Sequence, residues 1–275
     1  MIIFPCAKIN LGLHINAKRA DGFHEIETVF YPIDAFSDIL EIIPTNKSEY
    51  FFQQSGIFIQ NQTEINLVEK AYLLMQKLYN LPSVDMFLYK YIPVGAGLGG
   101  GSSDAAFALK LINTVFQLNL STETLKKHAC ELGSDCPFFI DNTPAIGKGK
   151  GDELQPCSIS QLSGKHIVII TPEVFISTAQ AYKFCQPRQK TVSLSEIISQ
   201  PLQKWKDMLV NDFETTLFPL YPQLQMIKED LYNQGAIYAS LSGSGSSLYG
   251  IFEEEPLNDK SIVNTLKRTY KILKK

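Results

Sequence analysis

The chain has 275 residues, an apolar fraction of 45% and a formal net charge of −3. That length allows one large domain or two ordinary ones, with enough apolar surface for a substantial core. The slight acidity argues against broad nucleic-acid binding, which needs a basic face, and no apolar run approaches the roughly 18 residues of a membrane span. The cysteines at 6, 130, 136, 157 and 185 are widely spaced and form no C-x-x-C pair, so neither a zinc site nor a disulfide framework is expected. With no basic or long apolar leader at Met1-Ile-Ile-Phe-Pro5, the expected compartment is the cytoplasm.

The first fifteen residues read as a strand, interrupted around Pro5. Alternation places Lys8 and Asn10 on one face of an otherwise apolar run. Lys8 is either a strand-edge lysine whose stem reaches back to water or a functional cation. Asp21-Gly22 signals a hairpin turn, followed by Phe23, His24 and a strand over 25–31. Residues 38–43 suit a further strand, and the polar segment 46–61 suits a hairpin with a mobile tip. Residues 66–79 carry apolar side chains at helical spacing behind Asn66, a natural cap.

Residues 85–92 read as a strand and lead into Pro93-Val-Gly-Ala-Gly-Leu-Gly-Gly-Gly-Ser-Ser-Asp-Ala-Ala106. Five glycines in seven residues imply positive φ angles or a ligand lying against the backbone. A helix is expected from Asp104, with Ser102 and Ser103 as hydroxyl caps. Strand, glycine loop and helix N-terminus together make an anion site, and a structural turn is the alternative. Gly95, Gly97 and Gly100 satisfy G-x-G-x-x-G, but no acidic residue closes a second strand at the expected distance. Gly101 stands where a P-loop has lysine, so the loop has no phosphate lysine of its own.

Residues 121–132 form an amphipathic helix, and Asp135 lies between Gly133 and an apolar run read as a strand. Its carboxylate is a turn or cap residue, or a functional one. Residues 145–153 read as a glycine-rich hairpin, 165–172 as a buried strand, and 176–183 as a short helix capped by Ser177 and carrying Tyr182. A loop with a short helix follows over 186–201. Helices are expected over 204–218, with Asn211 inside, and over 221–233. A strand, a Ser/Gly loop and a strand occupy 236–252, and a basic helix closes the chain over 259–273.

Three separated segments need one explanation: Pro5-Cys-Ala-Lys-Ile-Asn-Leu-Gly-Leu13, the glycine loop, and Leu241-Ser-Gly-Ser-Gly-Ser-Ser247. The set resembles the GHMP kinase superfamily of small-molecule kinases. Arg19-Ala-Asp-Gly-Phe-His-Glu-Ile-Glu-Thr28 and Gly133-Ser-Asp-Cys-Pro-Phe-Phe139 narrow the likeness to a branch whose substrate carries a diphosphocytidyl group. The resemblance implies an α+β, two-domain fold. Residues 1–158 would be an N-terminal α/β domain with a left-handed βαβ unit, an exception to the usual hand. Residues 159–275 would be a ferredoxin-like α+β domain, with substrate and ATP in the cleft between the two.

The implied reaction moves the γ-phosphoryl group of ATP onto a hydroxyl of the diphosphocytidyl substrate. The implied catalytic residues are Lys8 and Asp135. ATP would be held by Pro93, Val94, Gly95, Ala96, Gly97, Leu98, Gly99, Gly100, Gly101, Ser102 and Ser103, with Asn66 and Leu67 near the adenine. Substrate would be held by Asn10, Phe23, His24, Thr178 and Tyr182, with Phe23 and Tyr182 clamping the base and His24 reading its edge. Mg²⁺ is implied, its ligands unassigned. Neither nucleic acid nor membrane is an expected partner, and the chain is expected to be a monomer or weak homodimer. Three departures from the family pattern are Phe23 for a common tyrosine, Ala96 for glycine in some members, and Asp152 directly after Gly151. Alternatives are a homoserine, mevalonate or galactose kinase of the same superfamily, and a non-catalytic nucleotide-binding module.

Overall fold

The computed structural model describes residues 1–57 and 65–255, and the backbone of 265–271. Strands β1 (Ile2–Ile3), β2 (Cys6–Lys18), β3 (His24–Ser37), β4 (Ile39–Pro44) and β5 (Phe51–Gly56) come first. Then follow α1 (Leu67–Tyr79), β6 (Val84–Lys90), α2 (Gly100–Val115), α3 (Thr122–Leu132), α4 (Cys136–Asp141) and the hairpin β7 (Ala145–Lys148) and β8 (Glu153–Pro156). The remainder is β9 (His166–Pro172), α5 (Thr178–Phe184), α6 (Leu194–Ile198), α7 (Trp205–Met208), α8 (Asp212–Leu220), α9 (Pro222–Asn233), β10 (Tyr238–Leu241), β11 (Leu248–Phe252) and β12 (Thr265–Lys271).

The chain forms two compact, interleaved units. The first holds Met1–Lys8, Pro32–Val94 and Gly99–Thr143. Its sheet runs β1-β4-β6-β5, with β5 and β6 parallel and joined through α1. The capping box of Asn66 and Glu69 starts α1, which buries Val68, Ala71, Tyr72 and Met75. Period-two alternation in β6 turns Val84, Met86, Leu88 and Lys90 inward. The second unit holds Ile9–Tyr31, Gly95–Leu98 and the described part of 144–275. It contains the sheet β10-β11-β9-β12 and the order β2-β3-β7-β8. Its core joins Leu13, Ile15, Ile26, Val168, Ile170 and Phe213, among others.

Several expectations are corrected. Helix α2 starts at Gly100, with Gly99 at the cap in the left-handed region and no side-chain cap, so Ser102 and Ser103 lie inside the first turn. The apolar run after Asp135 is the helix α4, not a strand. Pro137 has no N–H to give a ladder and suits a first helical turn, and a short run buried on all sides carries no period. The helix expected over 204–218 is broken, because Val210 accepts the N–H of Leu13 and Asn211 bridges Leu13 before capping α8.

Residues 51–56 are not half of a hairpin but pair in parallel with β6, and the rest of that expected hairpin at 58–61 lies outside the described residues. The closing helix is contradicted over 265–271, where β12 pairs antiparallel with β9. An available sheet edge overrides local helical pattern there. Its other positions, 259–264 and 272–273, lie outside the described residues.

Candidate active site

In the first unit, β2 carries Lys8 inward at 3% exposure, while Asp135 at the start of α4 keeps a third of its side chain accessible. Lys8 Nζ stands 3.5 Å from Asp135 Oδ2. Burial pulls the lysine pKa down and Asp135 pulls it partly back. A cation that is costly to bury, facing a carboxylate still open to a reactant, has the chemistry for accepting a proton and stabilising charge. Gly99, at φ +70°, lies directly against it. A Cβ there would fall 3.0 Å from Lys8 Cε and 2.9 Å from Phe139 Cζ, so only glycine lets the lysine pass.

The first turn of α2 follows at once. The N–H groups of Gly100, Gly101 and Ser102 have no carbonyl one turn back, so they and the helix dipole present a positive end. A Cβ on Gly101 would meet only Leu67 Cδ1, at 3.6 Å. An added side-chain carbon there makes only ordinary van der Waals contact among the described residues. Ser103 is fully buried, and its hydroxyl has no hydrogen-bond partner among the described residues. Burial pushes the neighbouring Cys6 and Cys136 thiols up to about 12, which makes thiol chemistry ineffective.

The preceding part of the loop belongs to the second unit. Positive φ recurs at Gly95 and Gly97, as the glycine pattern predicts. Ala96 and Leu98 are buried anchors. Pro93 and Val94 are half-buried at the entry. The Ser242 hydroxyl donates to Gly97 O at 2.8 Å, and Ser247 N–H donates to Ala96 O at 3.0 Å. A Cβ on Gly97 would fall 1.9 Å from Ser242 O, so its glycine is required by the Ser/Gly loop. Asn211 fixes that loop in turn, donating to Leu241 O and Gly243 O, both at 2.9 Å.

Also in the second unit, Asn10 Nδ2 donates to Thr28 Oγ1 at 2.9 Å, and Asn10 N–H donates to Ser242 Oγ at 3.2 Å. The ring stacked on Tyr182 is His24, with centroids 4.7 Å apart and planes 19° from parallel. Phe23, the expected partner of Tyr182 in a clamp on the base, is not the ring stacked on it here. Phe23 is 56% exposed, with Lys150 Nζ 4.9 Å from its centroid. Burial, then Lys18, lowers the His24 pKa. Thr178 is exposed at the start of α5, its hydroxyl 3.3 Å from that of Ser244. Asn66 caps α1: its oxygen accepts from Val68 N–H at 2.9 Å and its nitrogen donates to Gln54 at 3.0 Å, which leaves one N–H of the amide unassigned.

The sequence reading missed Lys90, Asp38 and Asp104. All three are at most 2% exposed, and Lys90 Nζ pairs with both carboxylates. The available signal was a lysine at the inward register of β6. Burial opposes the Lys90 charge, but Asp104 and Asp38 outweigh it and raise its pKa.

The model of the GHMP kinases N terminal domain matches residues 66–146, and that of the GHMP kinases C terminal matches 193–272. A 4-diphosphocytidyl-2-C-methyl-D-erythritol kinase of Bacteroides fragilis strain YCH46 is 51% identical over 93% of each chain. The protein of that name from Chlorobium limicola is 38% identical, over 94% of this chain and 90% of its own. A crystal structure of a 4-(cytidine 5'-diphospho)-2C-methyl-D-erythritol kinase superposes with TM-score 0.77 at 28% identity, covering 91% of this chain and 90% of that one. The mevalonate kinase of Methanococcus jannaschii, at TM-score 0.70 and 16% identity over 98% and 97% of the two chains, shares the fold.

Proposed function

The chain belongs to the 4-diphosphocytidyl-2-C-methyl-D-erythritol kinases within the GHMP kinases, and from that premise we propose how its residues carry the reaction. The enzyme transfers the γ-phosphoryl group of ATP to the 2-hydroxyl of the methylerythritol part. The observation that carries our residue assignment is the Lys8–Asp135 pair, 3.5 Å apart, with Gly99, the residue that opens into α2, against the lysine. Asp135 accepts the hydroxyl proton as the substrate oxygen bonds to the γ-phosphorus and the bridging oxygen leaves with ADP. Lys8 holds the carboxylate and the charge on the transferring group. Little covalent chemistry is asked of the protein, so positioning and charge stabilisation dominate.

The N–H groups of Gly100, Gly101 and Ser102 hold the phosphates, with the helix dipole behind them. Mg²⁺ fits this arrangement. Among the described residues no group of three or more His, Cys, Asp or Glu side chains could hold a metal. An ion that keeps several waters and binds chiefly to phosphates needs few protein ligands, and the hydroxyls of Ser102 and Ser103 would supply them. When bound it would neutralise charge on the phosphates. In the second unit, Phe23 stacks the cytosine, His24 reads its edge, and Tyr182 holds the His24 ring in place. Asn10 and Thr178 are further substrate contacts.

The test is product formation. With ATP and Mg²⁺, the chain should release ADP in step with phosphorylation of the diphosphocytidyl substrate. Equal or faster ADP release with homoserine or mevalonate would overturn the assignment.

A further inference from the structure

We propose that Lys90, Asp38 and Asp104 are positioning residues, which hold the first turn of α2 where it can receive the ATP phosphates. The inference rests on reading that turn as the phosphate site. Asp38 sits between β3 and β4 and ties down the strand end that feeds the loop. Its Oδ1 accepts the N–H of Tyr91 at 2.5 Å and of Ile92 at 2.8 Å, and its Oδ2 accepts from Lys90. Its own N–H donates to Pro5 O at 2.8 Å, three residues before Lys8. Lys90 Nζ also donates to Asp104 Oδ2 at 2.6 Å. Asp104 lies one turn beyond Gly100 on the same helix face. A Cβ on Gly100 would fall 3.3 Å from Lys90 Nζ, so the ammonium sits directly under the first residue of the helix.

Stability alone does not account for the cluster. Three ionisable groups are taken out of water, and an apolar core of similar volume is often as stable or more so. One lysine serves two carboxylates, and Asp104 Oδ1 is buried without a hydrogen-bond partner among the described residues. What the cluster provides is direction. It links the strand end, the segment before Lys8 and the helix start through charge-assisted hydrogen bonds, which tolerate little displacement. A phosphate held by backbone N–H groups needs that rigidity, because a shift of about 1 Å can cost about 100-fold in rate.

The experiment compares Asp104→Ala, Asp104→Asn, Lys90→Arg and Gly101→Val in the full chain. It measures KM for each substrate, kcat, ADP affinity by calorimetry and the thermal midpoint. Asp104→Ala should raise the KM for ATP and weaken ADP binding by about 10-fold or more, leaving the KM for the diphosphocytidyl substrate within about twofold. Asp104→Asn keeps an acceptor for Lys90 and should restore most of the loss. Lys90→Arg keeps the charge but displaces the turn with a larger head group, so it should also weaken ADP binding. If Asp104→Ala does not fold, Lys90→Arg with unchanged ADP affinity overturns the proposal. So does a folded Asp104→Ala with unchanged ATP constants, or one in which both KM values rise equally as the midpoint falls. Gly101→Val tests the underlying reading by itself. If it leaves ADP affinity intact, the turn is not the phosphate site. If it abolishes binding while the Asp104 and Lys90 variants do not, only the positioning role fails.

Discussion

Asp135 and Lys8 face each other at 3.5 Å, and only Asp135 retains substantial access, so the carboxylate is the group that can meet a hydroxyl. Asp135→Asn keeps the shape and removes the proton acceptor. Turnover should drop by about 10²–10⁴-fold with ADP affinity unchanged, and wild-type turnover would refute the role. Phe23 offers an exposed ring with no core to lose. Phe23→Ala should raise the KM for the diphosphocytidyl substrate by about 10-fold, since stacking one base is worth about 1–3 kcal/mol. The thermal midpoint should not move, and a changed midpoint with constant KM would count against the stacking role. His24 has a pKa below its ordinary 6.5. The imidazole is therefore more than half neutral at that pH and titrates with a midpoint below it. If the neutral ring reads the cytosine, the substrate KM should rise as pH falls, with a midpoint under 6.5, while a midpoint at or above 6.5 would exclude this.

At the scale of elements, the capped helices were legible because their signals are local. Asn66, Ser121 and Ser177 cap α1, α3 and α5 as their positions predict. Helix α2 was misplaced by a turn because glycine, a poor helix former, opens it, and the hydroxyls that look like caps lie inside. Asn211 looked like a helix-interior residue. It is instead a buried cap of α8 whose amide also holds two carbonyls around the Ser/Gly loop. Asn211→Ala removes the cap and leaves those carbonyls without their donor. Urea unfolding should show a loss of about 2–3 kcal/mol, and a loss within error would deny the residue this bracing role.

At the scale of the molecule, a chain of net charge −3 must hold a polyanion with local donors, and the proposed function assigns that task to the start of α2. The glycine loop passes from one unit into the other and back. Its glycines therefore answer to different demands. Gly97→Val would collide with the Ser242 backbone in the second unit and should lower the thermal midpoint as well as activity, whereas Gly101→Val should spare the midpoint. Equal midpoints for the two variants would contradict that division. The glycine loop, the shared face of Lys8 and Asn10 and the turn before Phe23 could be read from the chain alone, since each depends on backbone preference or strand period within a few residues, but that Lys8 is buried could not. Ordered together, they were enough to indicate the family. Only the tertiary structure could decide what joins distant residues: Lys90 to an aspartate 52 positions away, the Ser242 hydroxyl to a carbonyl 145 away, His24 rather than Phe23 against Tyr182, and β12 on the edge of β9. No local pattern encodes those contacts, because their energy comes from burial and hydrogen bonds that exist only once the chain has folded.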